Sequence, residues 1–405
     1  MNPVLAADPL FDGGVDLTVV LIVIGKTIAV FALLLLSVLM YIWFLRKVIA
    51  KMQNRIGPDR AGPFGLLQSL ADGIKLFFKE QSAPVTADRR VFFIAPYLSI
   101  IPAFLAFAIV PIGGLVSIAG HKTYLQLADL PFGILWLLAM SGLGLYGVML
   151  AGWSSGSKYP LLGSVRASAQ LLSYEAAFSL AIVGVLIQAN TLSTRGIVDR
   201  QGAASWTGIG SIFNGDWYWL PAIVALVIFV MAAVAETNHP PFDLVEAEQE
   251  LTGGFFTEYT GIRFAIFYLA EFMNLITMSA IAVTLFFGGP AGPGLGFLAA
   301  DNWFNVWVMP VFWFMFKVIV LLFATVWVRA TLPRLRYDQL MSVGWKFLIE
   351  AAFLWVMVSA VVVIGKEQGW TMWIVVPSAV GGALLIYGVL YASMPRRNEL
   401  IEEIR

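Results

Sequence analysis

The 405-residue chain is 60% hydrophobic and only 12% charged, with a mean hydropathy of +0.84. Soluble domains are nearer half apolar and a quarter charged, so this composition indicates a membrane protein with several spanning segments. The formal net charge is zero, which argues against a nucleic-acid partner. The sequence has no cysteine and only His121 and His239, which excludes cysteine-held iron–sulfur clusters, a bis-histidine haem and a histidine-based zinc site within this chain.

Apolar runs of about 20 residues, the length that crosses a bilayer, recur along the whole chain. No pair of broken helices related by an inverted repeat is visible, which disfavours a secondary transporter. The predicted fold class is therefore an all-α polytopic membrane protein. The runs predict about nine transmembrane helices, at 18–45, 92–118, 133–153, 170–190, 219–236, 260–287, 306–328, 345–365 and 371–392.

Residues 64–79 form an apolar segment too short to span the membrane. Pro63 suits a helix start, and the apolar residues after it recur with helical spacing. The pattern predicts an amphipathic helix that lies at the cytoplasmic membrane surface or against the bundle. Its stripe consists of Phe64, Leu67, Leu70, Ala71, Ile74, Phe77 and Phe78.

Basic residues alternate between connections, and cytoplasmic loops of membrane proteins carry an excess of Lys and Arg. We therefore expect the N-terminus outside and the C-terminus in the cytoplasm, with the connection after the fifth helix also cytoplasmic. The basic clusters follow the first, third and seventh helices and close the chain: Arg46, Lys47, Lys51, Arg55, Arg60, Lys75, Lys79, Arg89 and Arg90; Lys158 and Arg166; Arg329, Arg334 and Arg336; Arg396, Arg397 and Arg405.

The connection after the fifth helix, 235–259, is strongly acidic. Glu246 and Glu250 are four residues apart, so on a helix they share a face and each disfavours ionisation of the other. This spacing fits a proton reservoir, and it fits a solvated acidic loop equally well. The six carboxylates of the segment are Glu236, Asp243, Glu246, Glu248, Glu250 and Glu258.

Three carboxylates, Glu175, Glu236 and Glu271, lie within predicted spans. Ionisable groups inside a membrane are costly and usually functional. If the three helices meet, these residues extend a proton path from the acidic connection into the membrane. Lys26 and Lys317 are the basic counterparts; Lys26 can reach the outer surface, and Lys317 can pair with a buried carboxylate.

Two long motifs of the chain are GLLQSLADGIK at 65–75 and PFDLVEAEQEL at 241–251. Through these motifs the chain resembles one family, the quinone-site membrane subunit of proton-pumping NADH:quinone oxidoreductase, respiratory complex I. The resemblance covers roughly 20–366 and includes MQNR at 52–55, SYE at 173–175 and RLRYDQLM at 334–341.

The resemblance implies roles for individual residues. The first and sixth helices, the amphipathic helix and the cytoplasmic loops would form much of a quinone tunnel, and acidic residues would carry protons from it. The implied quinone-binding residues are Arg46, Arg55, Asp72, Phe242, Arg329 and Arg334. The implied proton path comprises Glu175, Glu236, Asp243, Glu246, Glu248, Glu250 and Glu271.

The resemblance also implies that no complete active site lies in this chain. Quinone is the expected substrate, and the chain itself is expected to bind no metal, iron–sulfur cluster, flavin or haem. The expected partners are the other membrane and hydrophilic subunits of complex I and membrane lipid. The expected location is the inner membrane of a bacterial cell.

Three features depart from the family. Leu45 replaces the usual Glu before the Arg46-Lys47 pair, and His239 stands where Arg is frequent. A ninth helix is predicted where most members stop after eight, so we divide the chain into a family-like domain, 1–366, and an additional helix with a basic tail, 367–405.

Two alternatives remain at the level of sequence. The first is the same subunit in a relative driven by ferredoxin, by a deazaflavin or by a coupled hydrogenase, because this chain does not contact the electron donor. The second is a cation channel or transporter that uses the carboxylates as ion ligands. Large basic cytoplasmic loops favour a protein that docks a soluble arm over a channel or transporter.

Overall fold

The computed structural model describes residues 8–11, 14–201, 217–219, 222–243, 253–292 and 302–393. Predictions about Glu246, Glu248 and Glu250 therefore lie outside the described residues. The first half of the chain forms helices α1 Leu17–Met52, α2 Gln68–Phe78, α3 Arg89–Phe107, α4 Gly133–Ser154, α5 Lys158–Ala189 and α6 Thr194–Arg200.

The second half continues the helical bundle. A π-helical turn, Phe304–Val308, leads into α9, and another, Gly344–Leu348, joins α10 to α11. The helices are α7 Ile223–Glu236, α8 Ile262–Phe286, α9 Met309–Thr331, α10 Tyr337–Val343, α11 Ile349–Glu367 and α12 Met372–Ser393.

The predicted multi-pass helical fold is confirmed. Within the described part of the chain, seven helices are long and apolar enough to cross a membrane. Each of the other two predicted spans also contains a helix, but Ile223–Glu236 and the apolar part of α12, Ile374–Leu385, are shorter.

The prediction of a single helix over 92–118 was wrong at its C-terminal end. The helix stops at Phe107, and an antiparallel hairpin follows, with strand β1, Leu115–Ile118, paired to strand β2, His121–Tyr124. Ala119 and Gly120 both have positive φ, as a two-residue hairpin turn requires. Hydropathy missed this change because the residues from the helix end to the end of the first strand, 108–118, are themselves mostly apolar.

Helix α5 is the centre of the bundle, in contact with α4, α7 and α11. Small buried side chains such as Ala177 and Ala181 let neighbouring helices approach closely, as is common between membrane helices. The rings of Phe178 and Phe229 lie 4.7 Å apart across the contact with α7. The prediction had begun α5 at 170, but the helix begins at Lys158.

The basic and acidic connections meet at one end of the bundle, which we call the basic end. Its described connections are 53–67, 79–88, 155–157, 237–243, 253–261 and 332–336. The backbone N–H of Ser82 donates to the Thr260 hydroxyl at 3.0 Å, and the backbone N–H of Leu335 donates to the carbonyl of Pro241 at 3.2 Å. The described parts of these connections therefore lie together, and three of the predicted acids lie outside them.

Helix α2 presents its polar face to the protein. Ser69 is buried and Asp72 is half-buried, whereas Phe64, Leu70 and Phe77 on the predicted apolar stripe are exposed. An exposed apolar stripe beside a membrane-spanning bundle matches the surface of a lipid-contacting helix.

Candidate functional site: a carboxylate cavity below the basic end

Glu175, Glu236 and Glu271 line one cavity of about 60 Å³ between α4, α5, α7 and α8. The structure thus brings together three predicted proton-path residues that are far apart in sequence. Such a volume holds a small number of water molecules. The polar residues that complete its lining are Ser99, Ser141, Thr237, Asn238 and Asn274.

Hydrogen bonding inside the cavity is incomplete without water. The Ser141 hydroxyl lies 3.0 Å from the Leu138 carbonyl oxygen and 3.4 Å from Glu175 Oε1, so its single hydrogen is shared between a backbone and a carboxylate acceptor. Within the described residues, Ser99 Oγ, Glu236 Oε2 and Asn238 Oδ1 are buried without a hydrogen-bond partner. Buried polar atoms of this kind are normally satisfied by ordered water.

The serine and asparagine side chains were not predicted as site residues. Asn274 follows Glu271 by three positions, so the two share a helix face, and that spacing was available as a signal. Ser99 and Ser141 lie on α3 and α4 among apolar residues, and nothing local distinguishes them from ordinary helix-packing serines.

A histidine adjoins the cavity through Glu271. His239 is buried, and its Nδ1 lies 2.7 Å from the carbonyl oxygen of Thr237 and 3.5 Å from Glu271 Oε1. Burial lowers the pKa of His239 to about 4; the Thr237 carbonyl opposes this effect and the charge of Arg329 adds to it. The imidazole is therefore neutral at physiological pH.

The start of the acidic segment is fixed by its neighbours. The amide of Gln170 on α5 donates to the carbonyls of Ala235 at 2.8 Å and Phe242 at 2.7 Å. The Arg334 guanidinium donates to the backbone carbonyl of Asp243, whose side chain is buried. These contacts bring the segment that follows α7 against α5 and the connection after α9.

The six predicted quinone-binding residues do not form one cluster. Arg46 and Asp72 form an ion pair of 2.6 Å between α1 and α2. Arg334 holds the loop that contains Phe242, and Phe242 packs on Tyr174 with ring centroids 5.4 Å apart. The remaining two lie elsewhere: Arg329 near His239, and Arg55 in an exposed connection where it bonds to Gln53.

A second cavity, of about 310 Å³, lies between α1, α8 and α9. Its lining is almost entirely apolar. The family resemblance implied a tunnel at the first and sixth helices, which are α1 and α8, but it named none of these lining residues. They are ordinary apolar helix positions that meet only in the folded bundle. Its principal residues are Leu36, Met40, Tyr41, Phe44, Ile276, Phe314, Val318 and Leu322.

The two lysines in apolar segments have different partners. Lys26 pairs with Asp8 at 3.0 Å at the end of the bundle opposite the basic end. Lys317 Nζ donates to the carbonyls of Phe287 at 2.7 Å, Gly289 at 3.0 Å and Ala291 at 2.5 Å. Lys317 thus binds three carbonyls of the segment that directly follows α8, and among the described residues it pairs with no carboxylate.

Comparisons with known proteins identify the family of the chain. A family model described as NADH dehydrogenase matches residues 25–360. The H subunit of NADH-quinone oxidoreductase from Frankia casuarinae is 50% identical over 400 residues, which cover 98% of this chain and 85% of the relative. The corresponding H subunit from Frankia alni is 49% identical over 387 residues, which cover 94% of this chain and 82% of the relative.

Proposed function

The chain belongs to the NADH dehydrogenase family and is a multi-pass membrane protein, and on this basis we propose that it is the H subunit of a proton-pumping NADH:quinone oxidoreductase. It acts as part of that oxidoreductase and has no complete active site of its own. The names of the relatives favour NADH over ferredoxin, a deazaflavin or hydrogenase as the source of electrons.

The observation that carries the proton-coupling role is the shared cavity of Glu175, Glu236 and Glu271. Carboxylates placed among apolar helices are costly, and the small cavity with unpartnered polar atoms gives them room for water. Water and carboxylates in contact can pass protons by exchange between neighbouring oxygen atoms. A proton taken up at the basic end would then enter the cavity through Glu271 and leave it through Glu236 or Glu175.

Quinone binding is supported by two features on the same side of the molecule. The apolar cavity between α1, α8 and α9 suits an isoprenoid tail, and the Arg46–Asp72 pair between α1 and α2 supplies polar groups for a quinone head. Quinone reduction consumes protons and places negative charge near the head, which a guanidinium stabilises. Phe242, Arg334, Arg329 and Arg55 would shape the polar part of the tunnel from the loops.

The proposal also covers the orientation of the chain in the membrane, its location and its partner subunits. The basic end would face the cytoplasm of a bacterial cell and dock the hydrophilic subunits that hold flavin and iron–sulfur clusters. The N-terminus would then lie outside and the C-terminus inside. The family-like domain 1–366 would form the functional bundle, with α12 at its periphery as the additional helix.

The test is Glu271→Gln in the complete complex, reconstituted into vesicles. Glutamine keeps size and hydrogen bonding but cannot exchange a proton. We expect quinone reduction and proton pumping to lose most of their rate, while electron transfer from NADH to an artificial acceptor stays unchanged. Glu367→Gln, at the far end of α11, is the control and should behave as the parent protein. Normal pumping by Glu271→Gln would refute the proposed path.

A further inference from the structure

We propose that His239 is a positioning residue that sets how readily Glu271 gives up its proton, by holding a neutral Nδ1–H beside the carboxylate. The inference rests on the proposed proton path through Glu271. It adds a residue outside the cavity that controls a residue inside it.

The backbone and the ring of His239 are both fixed. Its backbone N–H donates to the carbonyl of Val234 at 3.2 Å, and its own carbonyl accepts from the N–H of Phe242 at 3.0 Å. The ring meets Phe272 edge-on, with centroids 5.4 Å apart and planes at 88°. The imidazole therefore has little freedom to turn away from Glu271.

The hydrogen bond to Thr237 fixes the tautomer. Because the Thr237 carbonyl 2.7 Å away can only accept, Nδ1 carries the hydrogen. Glu271 Oε1 lies 3.5 Å from the same nitrogen, so the N–H dipole acts on it as well. Only 3% of the His239 side chain and 13% of the Glu271 side chain are exposed, so solvent screens this interaction weakly.

The other ring nitrogen keeps the imidazole uncharged. Nε2 is buried and has no hydrogen-bond partner among the described residues. A proton placed there would create a buried cation with an unpaired donor, which is strongly unfavourable. Glu271 therefore has a polar neighbour that stabilises its ionised form without holding it permanently ionised.

Several charged or titratable groups surround the pair. Arg329 on α9 acts electrostatically on His239 and on Tyr41 of α1. Asp243 follows in the same loop and has its carbonyl held by Arg334. Across the cavity lie Glu175 and Glu236, and a negative charge on either would disfavour ionisation of Glu271. The neutral donor at position 239 acts in the opposite direction.

Three substitutions of His239 should change the ionisation of Glu271 in a defined order. His239→Arg adds a fixed positive charge that favours the ionised carboxylate, whereas His239→Leu removes the donor and favours the protonated acid. His239→Gln retains a neutral donor. Opposite charges within about 4–6 Å shift carboxylate titration by roughly one to three pH units, so the effect of arginine is measurable.

The experiment measures quinone reductase turnover and proton pumping against pH in vesicles that contain the complete complex. The first step is to compare the pH profiles of the parent and Glu271→Gln, and to identify the rising or falling limb that is missing from the residual turnover of the variant. We expect His239→Arg to move that limb to lower pH by about one unit or more. His239→Leu should move it to higher pH, and His239→Gln should leave it near its original position.

Assembly is checked by co-purification and by electron transfer from NADH to an artificial acceptor. If His239→Arg does not assemble, the His239→Leu and His239→Gln pair still decides, because only leucine removes the donor. Shifts that do not follow the order, or equal loss of rate without a shift, would show that His239 is merely structural. Normal pumping by Glu271→Gln would instead refute the proposed proton path itself, so the two failures are distinguishable.

Discussion

The side-chain amide of Gln170 lies 2.7 Å from the carbonyl oxygen of Phe242, and the same nitrogen lies 2.8 Å from that of Ala235. Gln170 is buried in α5, whereas its two acceptors belong to the end of α7 and the segment beyond it. One side chain therefore fixes where the acidic segment leaves the bundle. His239 lies between the two acceptors in sequence, so its position against Glu271 depends on this bridge.

Replacing Gln170 by Leu should destabilise the protein and misplace His239. The substitution leaves the Phe242 carbonyl without its donor, at a cost of about 1–3 kcal/mol, and leaves the Ala235 carbonyl with only the 3.3 Å bond from the N–H of Asn238. We expect a lower thermal unfolding temperature and reduced quinone turnover in the purified complex. The control is Gln368→Leu at the exposed end of α11, which should change neither measurement. An unchanged unfolding temperature for Gln170→Leu would mean that the bridge is dispensable.

Asp72→Asn separates stability from quinone binding. The Arg46 and Asp72 side chains are 42% and 31% exposed, and ion pairs this accessible contribute about 0–1 kcal/mol. Thermal stability should therefore hardly change, whereas the KM for quinone should rise several-fold if the pair contacts the quinone head. The neighbouring pair, Lys47 with Asp59 at 3.3 Å, provides the matched control Asp59→Asn. Equal KM values for the two variants would place quinone elsewhere.

Leu45→Glu should not improve the enzyme, although the family resemblance implies an acid at this position. Leu45 is 8% exposed and belongs to the main apolar core. The adjacent basic residues, Arg46 and Lys47, already have carboxylate partners in Asp72 and Asp59. A glutamate would therefore bury a carboxylate without a ready partner, which is unfavourable.

The measurement for Leu45→Glu is quinone reductase rate per assembled complex, with Leu45→Met as a volume-conserving control. We expect the methionine variant to keep its rate and the glutamate variant to lose stability without gaining rate. A several-fold gain would indicate that the apolar packing around position 45 can rearrange to accommodate a functional acid.

Lys317→Met should loosen the end of α8 that lies opposite the basic end. The ammonium caps three carbonyls and also lies 4.2 Å from the ring centre of Trp217. Hydrogen bonds to charged groups contribute roughly 1.5–3 kcal/mol each, so the loss should appear as a marked drop in thermal stability. Lys317→Arg keeps the charge and should retain more of the stability. Similar unfolding temperatures for parent and methionine variants would contradict this capping role.

The sequence alone determined the class of the protein, its membrane-spanning helices and the identity of its unusual acids. These properties are local. The hydropathy of each segment indicates whether that segment lies in lipid, and a carboxylate within an apolar run is recognisable without knowing how the run packs. Motifs at 65–75 and 241–251 also indicated the correct family, since they are long and specific. The end of α3 at residue 107 and the start of α5 at residue 158 were wrongly predicted, because the apolar content of the sequence does not change where these helices end and begin.

Only the tertiary structure decided which groups meet. Membrane helices such as α4 and α5 are apolar on nearly all sides, so periodicity does not fix how each is rotated against its neighbours. Packing around α5 therefore determined that Glu175, Glu236 and Glu271 share a cavity with Ser99 and Asn238. The turn after α7 likewise placed His239 against Glu271, because a contact between a loop and a distant helix has no local signature in the sequence.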